Sequence, residues 1–367
     1  MVVHSDYLHD NRVRREAETL LAQGFSVKVI AASIKPAKKK LFLHNGIDIE
    51  PVALTAKNGK LRFIQMMYKC GRRLQKTDAT VIHAHDLDAL TASLLFYQPY
   101  DTQKIIYDSH ELYTETHSVY NRKVVKAIWT FLEANCIKRA HKILTVSDGI
   151  ASYLMQRYQL KEFPVVLRNF TSLPESENTK IDTVNFNLPA TKRIGIYQGV
   201  LQKGRGLELL LDGISQSDWG LIICGDGPLE MVLKQQVKNL GIESKVLFTG
   251  KIDPSQINEL MKLCDAGFIL TQPEGLSHEF SLPNKLTEYI HAGLPLITTE
   301  LPEISKLVNS YEIGRCINNE QELVSTLSNF PSKSEFQEKL KTASLELNWE
   351  NEKKKLLNLY SELFSKK

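Results

Sequence analysis

Residues 279–298 read EFSLPNKLTEYIHAGLPLIT, and their pattern is typical of a loop, a helix and a strand in an α/β protein. The helix is predicted to begin just after Pro283 and to end at Gly293, and an apolar run that predicts a strand follows it. Lys285 and Glu288 lie three residues apart in the first turn of this helix. They are either an exposed ion pair, which stabilises a helix by only about 0.3–0.5 kcal/mol, or two members of a binding site.

Short apolar runs and helical patterns alternate along almost the whole chain, in two successive series. Such alternation predicts two doubly wound α/β domains, each built on a parallel sheet. We predict the first domain at 1–170, a polar linker with prolines at 171–192, the second domain at 193–348 and an amphipathic C-terminal helix at 349–367. The predicted strands lie at 25–32, 79–85, 104–110, 142–147, 163–169, 193–199, 219–225, 245–250, 266–270 and 295–298. The predicted helices lie at 12–23, 87–97, 122–140, 149–159, 206–215, 228–240, 255–263 and 284–292.

The composition is that of a globular protein without membrane-spanning segments. Of the 367 residues, 43% are apolar and 24% are charged, and the sequence contains no run of eighteen apolar residues. The N-terminal MVVHSDYLHD lacks the basic region and the apolar core of a signal peptide, so we expect a cytoplasmic protein. The five cysteines are scattered singly, which favours reduced, buried thiols over a zinc site or a disulfide framework.

The net charge of +4 is unevenly distributed along the chain. Residues 1–170 contain 25 Lys and Arg against 16 Asp and Glu, whereas residues 171–367 contain 21 against 26. Much of the positive excess lies in KPAKKK (35–40) and in the segment 57–76. Nucleic acid is not an expected partner, because aromatic residues are not interleaved with the basic ones and no binding motif accompanies them.

The segment 57–76 has the pattern of a basic amphipathic helix. Leu61, Ile64, Met67 and Tyr68 form an apolar stripe beside several lysines and arginines. Such a helix either lies on an anionic membrane surface or packs its stripe on the core of the domain and leaves a basic face in water.

Two predicted strand-to-helix junctions in the second half are rich in glycine. In open parallel sheets ligands bind at the carboxyl ends of the strands, where glycines let a phosphate approach the backbone. The first junction, YQGVLQKGRGLELL (197–210), also contains Arg205, whose guanidinium can donate two hydrogen bonds to a phosphate. A simple turn with solvated charges is the alternative. The second, CGDGPLE (224–230), contains Gly225 and Gly227 but lacks the third glycine of a Rossmann fingerprint.

The corresponding junctions in the first half carry histidines and acidic residues. HAHDLDAL (83–90) places His85 at the end of one predicted strand, and His110 follows the next. The first segment is either a cation site or a helix start, in which Asp86 is the N-cap and Asp88 interacts favourably with the helix dipole. We favour the helix start and expect no metal site. His110 is suited to acid–base chemistry near neutral pH, although a plain loop is the alternative.

Eight segments, in order along the chain, resemble the motifs of GT-B glycosyltransferases, and in particular the large retaining group often called group 1 or family 4. No segment is decisive alone, but together they cover nearly the whole sequence. The resemblance implies a GT-B fold, with two Rossmann-like doubly wound parallel-sheet domains facing a cleft and a C-terminal helix that crosses back to the first domain. The segments are DNRVRREAETLLAQGFSVKVI (10–30), VIHAHDLDAL (81–90), IIYDSHELYTE (105–115), RAHKILTVSDGI (139–150), YQGVLQKGRGLELL (197–210), ICGDGPLEMVL (223–233), VLFTGKID (246–253) and SLPNKLTEYIHAGLPLI (281–297).

The resemblance also implies a donor site in the second domain. Glu288 matches a glutamate that accepts hydrogen bonds from the ribose hydroxyls of a nucleoside diphosphate sugar. Arg205 and Lys285 match cations that face the diphosphate and neutralise the charge that grows on the leaving group. Backbone amides between Leu282 and Asn284, at the start of the helix, would add dipolar stabilisation. The other donor-binding positions that the resemblance implies are Gly199, Gly225, Gly227 and Lys251.

For the acceptor, the resemblance implies binding to the first domain, with His85 or His110 orienting or polarising the acceptor hydroxyl. The resemblance implies that no strong protein nucleophile takes part, and that the leaving phosphate helps to deprotonate the acceptor while the anomeric configuration is retained. Neither a cofactor nor a metal ion is expected to be needed. The basic first domain suggests a sugar or lipid-linked acceptor in cell-surface polysaccharide or glycolipid assembly, at the inner face of the cell membrane.

Two positions depart from the family pattern. Phe280 stands where the family has the first of two donor-binding glutamates, with Glu279 one residue away. Val200 stands where an arginine is usual, which leaves Arg205 as the main cation of that loop. Two alternatives therefore stay open beside a glycosyltransferase: a nucleotide-sugar 2-epimerase, which shares the architecture, and a non-catalytic scaffold that binds a nucleotide sugar.

Overall fold

The computed structural model describes residues 1–34, 41–96, 103–116, 119, 121–173 and 186–365. The basic run at 35–40, residues 174–185 of the predicted linker, residue 97 of one predicted helix and the last two residues of the chain lie outside the described residues. The chain divides into two compact units. Unit 1 contains Met1–Asn169, Gly275–Ser277 and Glu352–Lys367, and unit 2 contains Phe170–Glu274 and His278–Asn351.

Unit 1 is built on an eight-stranded sheet with helices between the strands. The strands are β1 (Val2–Val3), β2 (Lys28–Ser33), β3 (Phe42–His44), β4 (Ile47–Ala53), β5 (Val81–His85), β6 (Lys104–Ser109), β7 (Lys142–Thr145) and β8 (Val165–Val166). The helices are α1 (Asn11–Ala22), α2 (Gly59–Leu74), α3 (Asp86–Thr91), α4 (Lys123–Cys136) and α5 (Asp148–Tyr158). The strand order is β3-β4-β2-β1-β5-β6-β7-β8, and every pair except β3–β4 is parallel.

The antiparallel pair β3–β4 is an edge hairpin that we did not predict. Asn45 and Gly46 form its turn with φ angles of 49° and 80°, the left-handed values that a tight hairpin turn needs. Phe42 lies opposite Ile49, and His44 lies opposite Ile47.

Unit 2 is built on a parallel sheet, as its alternating pattern predicted, but the sheet has six strands and the last of them was not predicted. Its strands are β9 (Arg193–Gln198), β10 (Trp219–Cys224), β11 (Val246–Gly250), β12 (Ala266–Ile269), β13 (Leu296–Thr299) and β14 (Gly314–Ile317), in the order β11-β10-β9-β12-β13-β14. The helices of the second half are α6 (Leu207–Ser215), α7 (Glu230–Leu240), α8 (Pro254–Lys262), α9 (Leu276–Glu279), α10 (Lys285–His291), α11 (Pro302–Tyr311), α12 (Glu320–Asn329), α13 (Gln337–Glu346) and α14 (Trp349–Ser365).

The centre of the unit 2 core depends on glycines in the strands. A Cβ atom on Gly195 of β9 would lie 2.1 Å from the Phe268 ring, and one on Gly267 of β12 would lie 2.5 Å from the Tyr289 ring. Both aromatic side chains are fully buried. The glycines therefore leave the space that two large rings need between the sheet and its helices.

The last helix, α14, continues into unit 1 from Glu352 onwards. Within unit 1 the ring of Phe25 lies 5.4 Å from that of Tyr360 and 5.8 Å from that of Phe364, between ring centroids. Glu352 also accepts a hydrogen bond from the backbone amide of Arg168 at 2.9 Å. These contacts fix the C-terminal part of the helix on unit 1.

The apolar stripe of α2 is mostly exposed. Leu61, Ile64 and Tyr68 are 54–59% exposed, whereas Met67 is buried. The alternative that the whole stripe packs on the core is therefore wrong, because a different face of α2 is buried. Among the described residues, no helix is both long enough and apolar enough to cross a membrane.

Candidate functional site

In unit 2, the carboxyl ends of β9 and β10 lead into the two glycine loops. Gly199 and Gly225 have φ angles of 132° and 138°, and a Cβ atom on Gly225 would lie 2.0 Å from the Gly199 carbonyl oxygen. The Gly199 amide donates to the Cys224 carbonyl at 2.9 Å, and the Leu201 amide donates to the Asp226 carbonyl at 2.8 Å. A Cβ atom on Gly227 would likewise lie 2.4 Å from the Leu201 carbonyl oxygen. The glycines predicted for the donor site therefore hold the two loops in close backbone contact.

Helix α10 brings Lys285 to the end of β9. The helix begins at Lys285, after Asn284, as the opening stretch of sequence predicted. The Lys285 ammonium lies 3.9 Å from the centroid of the Tyr197 ring, and a Cβ atom on Gly199 would lie 3.4 Å from it. This position beside an aromatic face is typical of a cation–π contact.

The charge state of Lys285 is sensitive to its surroundings. Burial and the nearby positive charge of Arg205 lower the pKa of Lys285 to about 7, although Glu288 opposes the shift. A bound anion would reverse this effect, because an opposite charge within a few ångströms favours the ammonium form. Arg205 lies in the same loop as Gly204 and Gly206, directly before α6.

Glu288 is held by a residue of β9. Its carboxylate accepts a hydrogen bond from the Gln198 side-chain amide. The Gln198 backbone amide in turn donates to the buried Tyr289 hydroxyl at 3.1 Å, and that hydroxyl lies 3.3 Å from the Ile196 carbonyl oxygen. Strand β9 and helix α10 are therefore joined through Ile196 and Gln198 of the strand and the successive residues Glu288 and Tyr289 of the helix.

The other predicted donor residues are less closely grouped. Leu282 packs partly buried against the unit 2 core, and Asn284 accepts hydrogen bonds from the backbone amides of residues 287 and 288. Lys251 is exposed directly after β11, an edge strand that β10 separates from β9. Glu279 is the last residue of α9, followed by the half-buried Phe280.

Three donor-side residues were missed by sequence reasoning. Tyr197 and Gln198 lie in the predicted strand at 193–199, and they contact Lys285 and Glu288. The third is Glu274, whose carboxylate lies 3.1 Å from the position of a Cβ atom on Gly204. No signal in the sequence joins Gln198 to a residue ninety positions away.

In unit 1, the ends of β5 and β6 bring His85 and His110 together. His85 and Asp108 are register partners in the two strands. His85 Nδ1 lies 3.1 Å from His110 Nε2, and that nitrogen lies 3.2 Å from Asp108 Oδ2. Arg12 donates two hydrogen bonds to the Asp108 carboxylate, at 2.9 and 2.7 Å. The two predicted histidines thus belong to one network that includes Arg12 and Asp108, which sequence reasoning missed.

The two histidines differ in exposure and in protonation. His85 is fully buried, and burial lowers its pKa to about 4 despite its contact with Asp108. The His110 side chain is 20% exposed. Burial alone would lower its pKa, but the carboxylates of Asp86 and Asp108 prevail and raise it to about 10. At neutral pH His110 is therefore an imidazolium that donates hydrogen bonds.

The predicted capping role of Asp86 is wrong. The residue has a φ of 68°, and His85 occupies the N-cap position of α3. The Asp86 carboxylate instead accepts a hydrogen bond from the His110 backbone amide at 3.0 Å and lies 3.4 Å from His110 Nδ1. Asp88 does lie in the first turn of the helix, where its carboxylate is 2.5 Å from His4 Nδ1.

Comparison with solved structures identifies the class of fold as GT-B. The chain is similar over its full length to the sucrose-phosphate synthase from Thermosynechococcus elongatus, with a TM-score of 0.79, 16% identity and coverage of 98% of that chain. It is also similar to the Anabaena HepE protein in complex with UDP-glucose, with a TM-score of 0.72, 16% identity and coverage of 98% of both chains.

Two family models match the sequence in succession. Residues 10–171 match the model described as glycosyltransferase family 4, and residues 178–346 match the model described as glycosyl transferases group 1. The chain therefore belongs to the group 1 and family 4 glycosyltransferases of the GT-B fold.

Curated relatives carry related names. The N-acetyl-α-D-glucosaminyl L-malate synthase of Bacillus anthracis is 26% identical over 242 residues, which are 66% of this chain and 52% of that protein. A putative teichuronic acid biosynthesis glycosyltransferase of Bacillus subtilis is 26% identical over 235 residues, 58% of this chain and 54% of that protein. The chain spans about half the length of these relatives.

Proposed function

We propose that this chain transfers a sugar from a nucleoside diphosphate sugar to an acceptor hydroxyl, with retention of the anomeric configuration, in the assembly of a cell-surface polysaccharide or glycolipid. The observation that carries this proposal is the position of Lys285 and Glu288 at the carboxyl end of β9. Ligands of open parallel sheets bind at such strand ends, where the strand order changes direction, as it does between β9 and β12. At this strand end the Lys285 ammonium can bind a diphosphate, and the Glu288 carboxylate can accept hydrogen bonds from the hydroxyls of a ribose.

In this proposal residues 193–348 bind the donor. Lys285 and Arg205 face the diphosphate, and the close-packed loops at Gly199, Gly225 and Gly227 leave room for it beside the backbone. Glu288, oriented by Gln198, accepts the ribose hydroxyls. Leu282, Asn284 and Lys251 are the peripheral donor contacts. The two cations stabilise the leaving diphosphate electrostatically, and no divalent metal is required at the donor. The HepE structure with UDP-glucose supports a nucleotide sugar as the ligand.

Residues 1–170 bind the acceptor in this proposal. His110 is the exposed member of the histidine pair, and as an imidazolium it orients and polarises the acceptor hydroxyl by hydrogen bonding. His85 is fully buried, and its Nδ1 lies 3.1 Å from His110 Nε2, so its role is to position His110. The proton of the acceptor passes to the leaving phosphate, because His110 is already protonated and the buried Asp108 carboxylate is engaged with Arg12 and His110.

A donor-only assay tests the proposed reaction without knowledge of the acceptor. The protein is incubated with UDP-, GDP- and ADP-linked hexoses, and proton NMR follows the nucleoside diphosphate and the anomer of the first-formed sugar. We expect slow release of one nucleoside diphosphate and a sugar that keeps its anomeric configuration, because water replaces the acceptor. A sugar epimerised at C2 would instead indicate the 2-epimerase. Binding without any product would indicate a scaffold.

The same assay tests metal independence. We expect an unchanged initial rate in excess EDTA, because Arg205 and Lys285 supply the positive charge that a metal ion would otherwise supply. A complete loss of activity that manganese restores would contradict this part of the proposal.

We further propose that unit 1 docks on an anionic membrane surface through helices α2 and α4. The two helices are in contact, since the Phe63 and Trp129 rings lie 4.2 Å apart between centroids. Together they expose large apolar side chains next to exposed lysines and arginines, an arrangement typical of interfacial binding to anionic lipid. The exposed apolar residues of this α2–α4 surface are Leu61, Ile64, Tyr68, Val124, Ile128 and Phe131. The exposed basic residues are Lys57, Lys60, Arg72, Lys76, Arg122 and Lys123.

Liposome flotation tests this surface. We expect the protein to float with vesicles that contain phosphatidylglycerol and to stay in solution with phosphatidylcholine alone, and to lose binding at high salt. The double variant Ile64→Asp, Phe131→Asp should not float, whereas Met231→Asp, a change of an exposed apolar residue in unit 2, should float like the wild type. Equal failure of the wild type with both kinds of vesicle would contradict the proposal.

A further inference from the structure

Four side chains in unit 1 form a buried histidine–carboxylate cluster: Glu16, His83, His85 and Asp108. They come from helix α1 and from the neighbouring strands β5 and β6. Each of the four is at most 1% exposed, and one possible ligand atom from each lies within 4.8 Å of all the others. Buried groups of this kind are costly unless each polar atom has a partner.

Several polar atoms of the cluster have no such partner. Among the described residues, no group hydrogen-bonds to Glu16 Oε2, His83 Nε2 or His85 Nε2. One guanidinium, that of Arg12, lies against both carboxylates, 3.0 Å from Glu16 Oε1 and 2.7 Å from Asp108 Oδ1. A second cationic group, His110, contacts the cluster from its more exposed side, 3.2 Å from Asp108 Oδ2 and 3.1 Å from His85 Nδ1. His83 Nε2 and Glu16 Oε2 lie 3.6 Å apart inside the cluster, with no hydrogen bond between them.

We propose that this cluster binds a divalent transition-metal ion, most readily zinc, as a closed structural site. Two imidazoles and two carboxylates are the donor set that zinc accepts, whereas magnesium and calcium prefer oxygen ligands alone. Four protein ligands leave no open coordination position, and all four are buried. The ion is therefore a structural element of unit 1 and takes no part in sugar transfer.

The distances suit a tetrahedral ion. Bonds of about 2.0–2.1 Å place two ligand atoms of a tetrahedral zinc about 3.3 Å apart. His85 Nδ1 lies 3.2 Å from Asp108 Oδ2, and His83 Nε2 lies 3.6 Å from Glu16 Oε2 and 3.9 Å from Asp108 Oδ2. The cluster is thus close to the size that zinc needs, and in the metal-bound protein His85 Nδ1 would exchange its contact with His110 for the ion.

Outer contacts hold two of the ligands in place. His83 Nδ1 lies 3.0 Å from the Tyr360 hydroxyl, so the opposite nitrogen faces the cluster. Arg12 fixes the Asp108 carboxylate through two hydrogen bonds. Hydrogen bonds from the far side of a ligand are the usual means of orienting it toward a metal. Because Tyr360 belongs to α14, the ion would also tie the C-terminal helix to the centre of the unit 1 sheet.

Metal analysis of the full-length protein tests the site. The protein is expressed with added zinc, freed of loose metal by gel filtration and examined by mass spectrometry for metal content. We expect about one zinc per chain in the wild type and in His9→Ala, whose side chain is 84% exposed, and a loss of most of this zinc in His83→Ala. Wild-type zinc content in His83→Ala, or no bound metal in the wild type, would overturn the proposal.

A second measurement does not depend on the folding of a variant. The wild type is unfolded with a chelator, dialysed and refolded with one equivalent of Zn²⁺, with Co²⁺ or with chelator alone. We expect a higher Tm with zinc, and with cobalt the visible absorption bands of a tetrahedral ion at a one-to-one ratio. Identical Tm values in all three samples and no cobalt spectrum would overturn the proposal.

Discussion

The pH dependence of donor binding gives a sharp test of the role of Lys285. Its pKa of about 7 in the free protein means that about nine tenths of the molecules carry the ammonium at pH 6 and about 3% at pH 8.5. If Lys285 faces the diphosphate, the donor binds the protonated form and raises this pKa. Affinity should then fall as the pH rises above 7, because each binding event must first take up a proton.

The expected change in Kd follows from these protonated fractions. Between pH 6 and pH 8.5 the protonated fraction falls about 30-fold, so Kd should rise about 30-fold, which is about 2 kcal/mol of binding free energy. The diphosphate of a nucleotide sugar carries the same charge at both pH values and adds no dependence of its own. The Lys285→Arg variant keeps its charge throughout and should show an almost constant Kd.

Isothermal titration calorimetry in two buffers of different ionisation enthalpy measures both Kd and the proton uptake. The donor is the nucleotide sugar that stabilises the protein most among UDP-, GDP- and ADP-linked hexoses. A wild-type Kd that is constant from pH 6 to 8.5 would refute the assignment of Lys285 to the diphosphate. The same fall in affinity for Lys285→Arg would show that another group titrates.

Three further predictions concern stability and are measured by urea unfolding. Gly225→Ala should lower the free energy of unfolding by more than about 2 kcal/mol, because its Cβ atom would lie 2.0 Å from the Gly199 carbonyl oxygen. The control Gly241→Ala, at a position with a φ of 66° and open space around it, should lower it by about 1–2 kcal/mol. Equal losses in the two variants would contradict this prediction. Tyr289→Phe should lower the free energy of unfolding by about 1–3 kcal/mol, because it removes the hydroxyl that accepts a hydrogen bond from the buried Gln198 amide. An unchanged free energy would show that the hydroxyl is dispensable. In chelator-treated, metal-free protein, His110→Gln should lose most stability relative to the wild type below pH 6.5, by at most about 4–5 kcal/mol, because the folded pKa of His110 is raised to about 10. The difference should vanish as the pH approaches 10, and a difference that grows with pH would contradict the charge state.

Much of the fold could be predicted because parallel-sheet proteins repeat a simple pattern. Buried strands such as β10, in which each residue is buried, are continuous apolar runs, and the helices between them have a clear period. The hairpin β3–β4 was missed although Asn45-Gly46 is a strong turn signal, because its strands are short and lie at the sheet edge. Strand β14 was missed because GRCI is short and only partly apolar.

The candidate sites were predictable only as far as local sequence determines them. The helix start at Lys285 and the glycine loops follow from local residue preferences. The contact of Lys285 with Tyr197 and that of Glu288 with Gln198 depend on which strand lies beside which helix, and local sequence patterns do not reveal this arrangement. Asp86 shows the limit most clearly, because its interaction with His110 prevails over the ordinary preference of an aspartate to cap a helix.

The most direct test of the donor site is a thermal-shift panel with UDP, GDP and ADP on the wild type, Glu288→Ala and Lys285→Gln. A ligand at 100 times its Kd stabilises the folded protein by about 2.7 kcal/mol, which is readily measured as a rise in Tm. We predict that one of the three nucleotides raises the Tm of the wild type and that both variants lose most of this shift. If none of the three stabilises the wild type, or if both variants respond as the wild type does, the donor site does not lie at the end of β9.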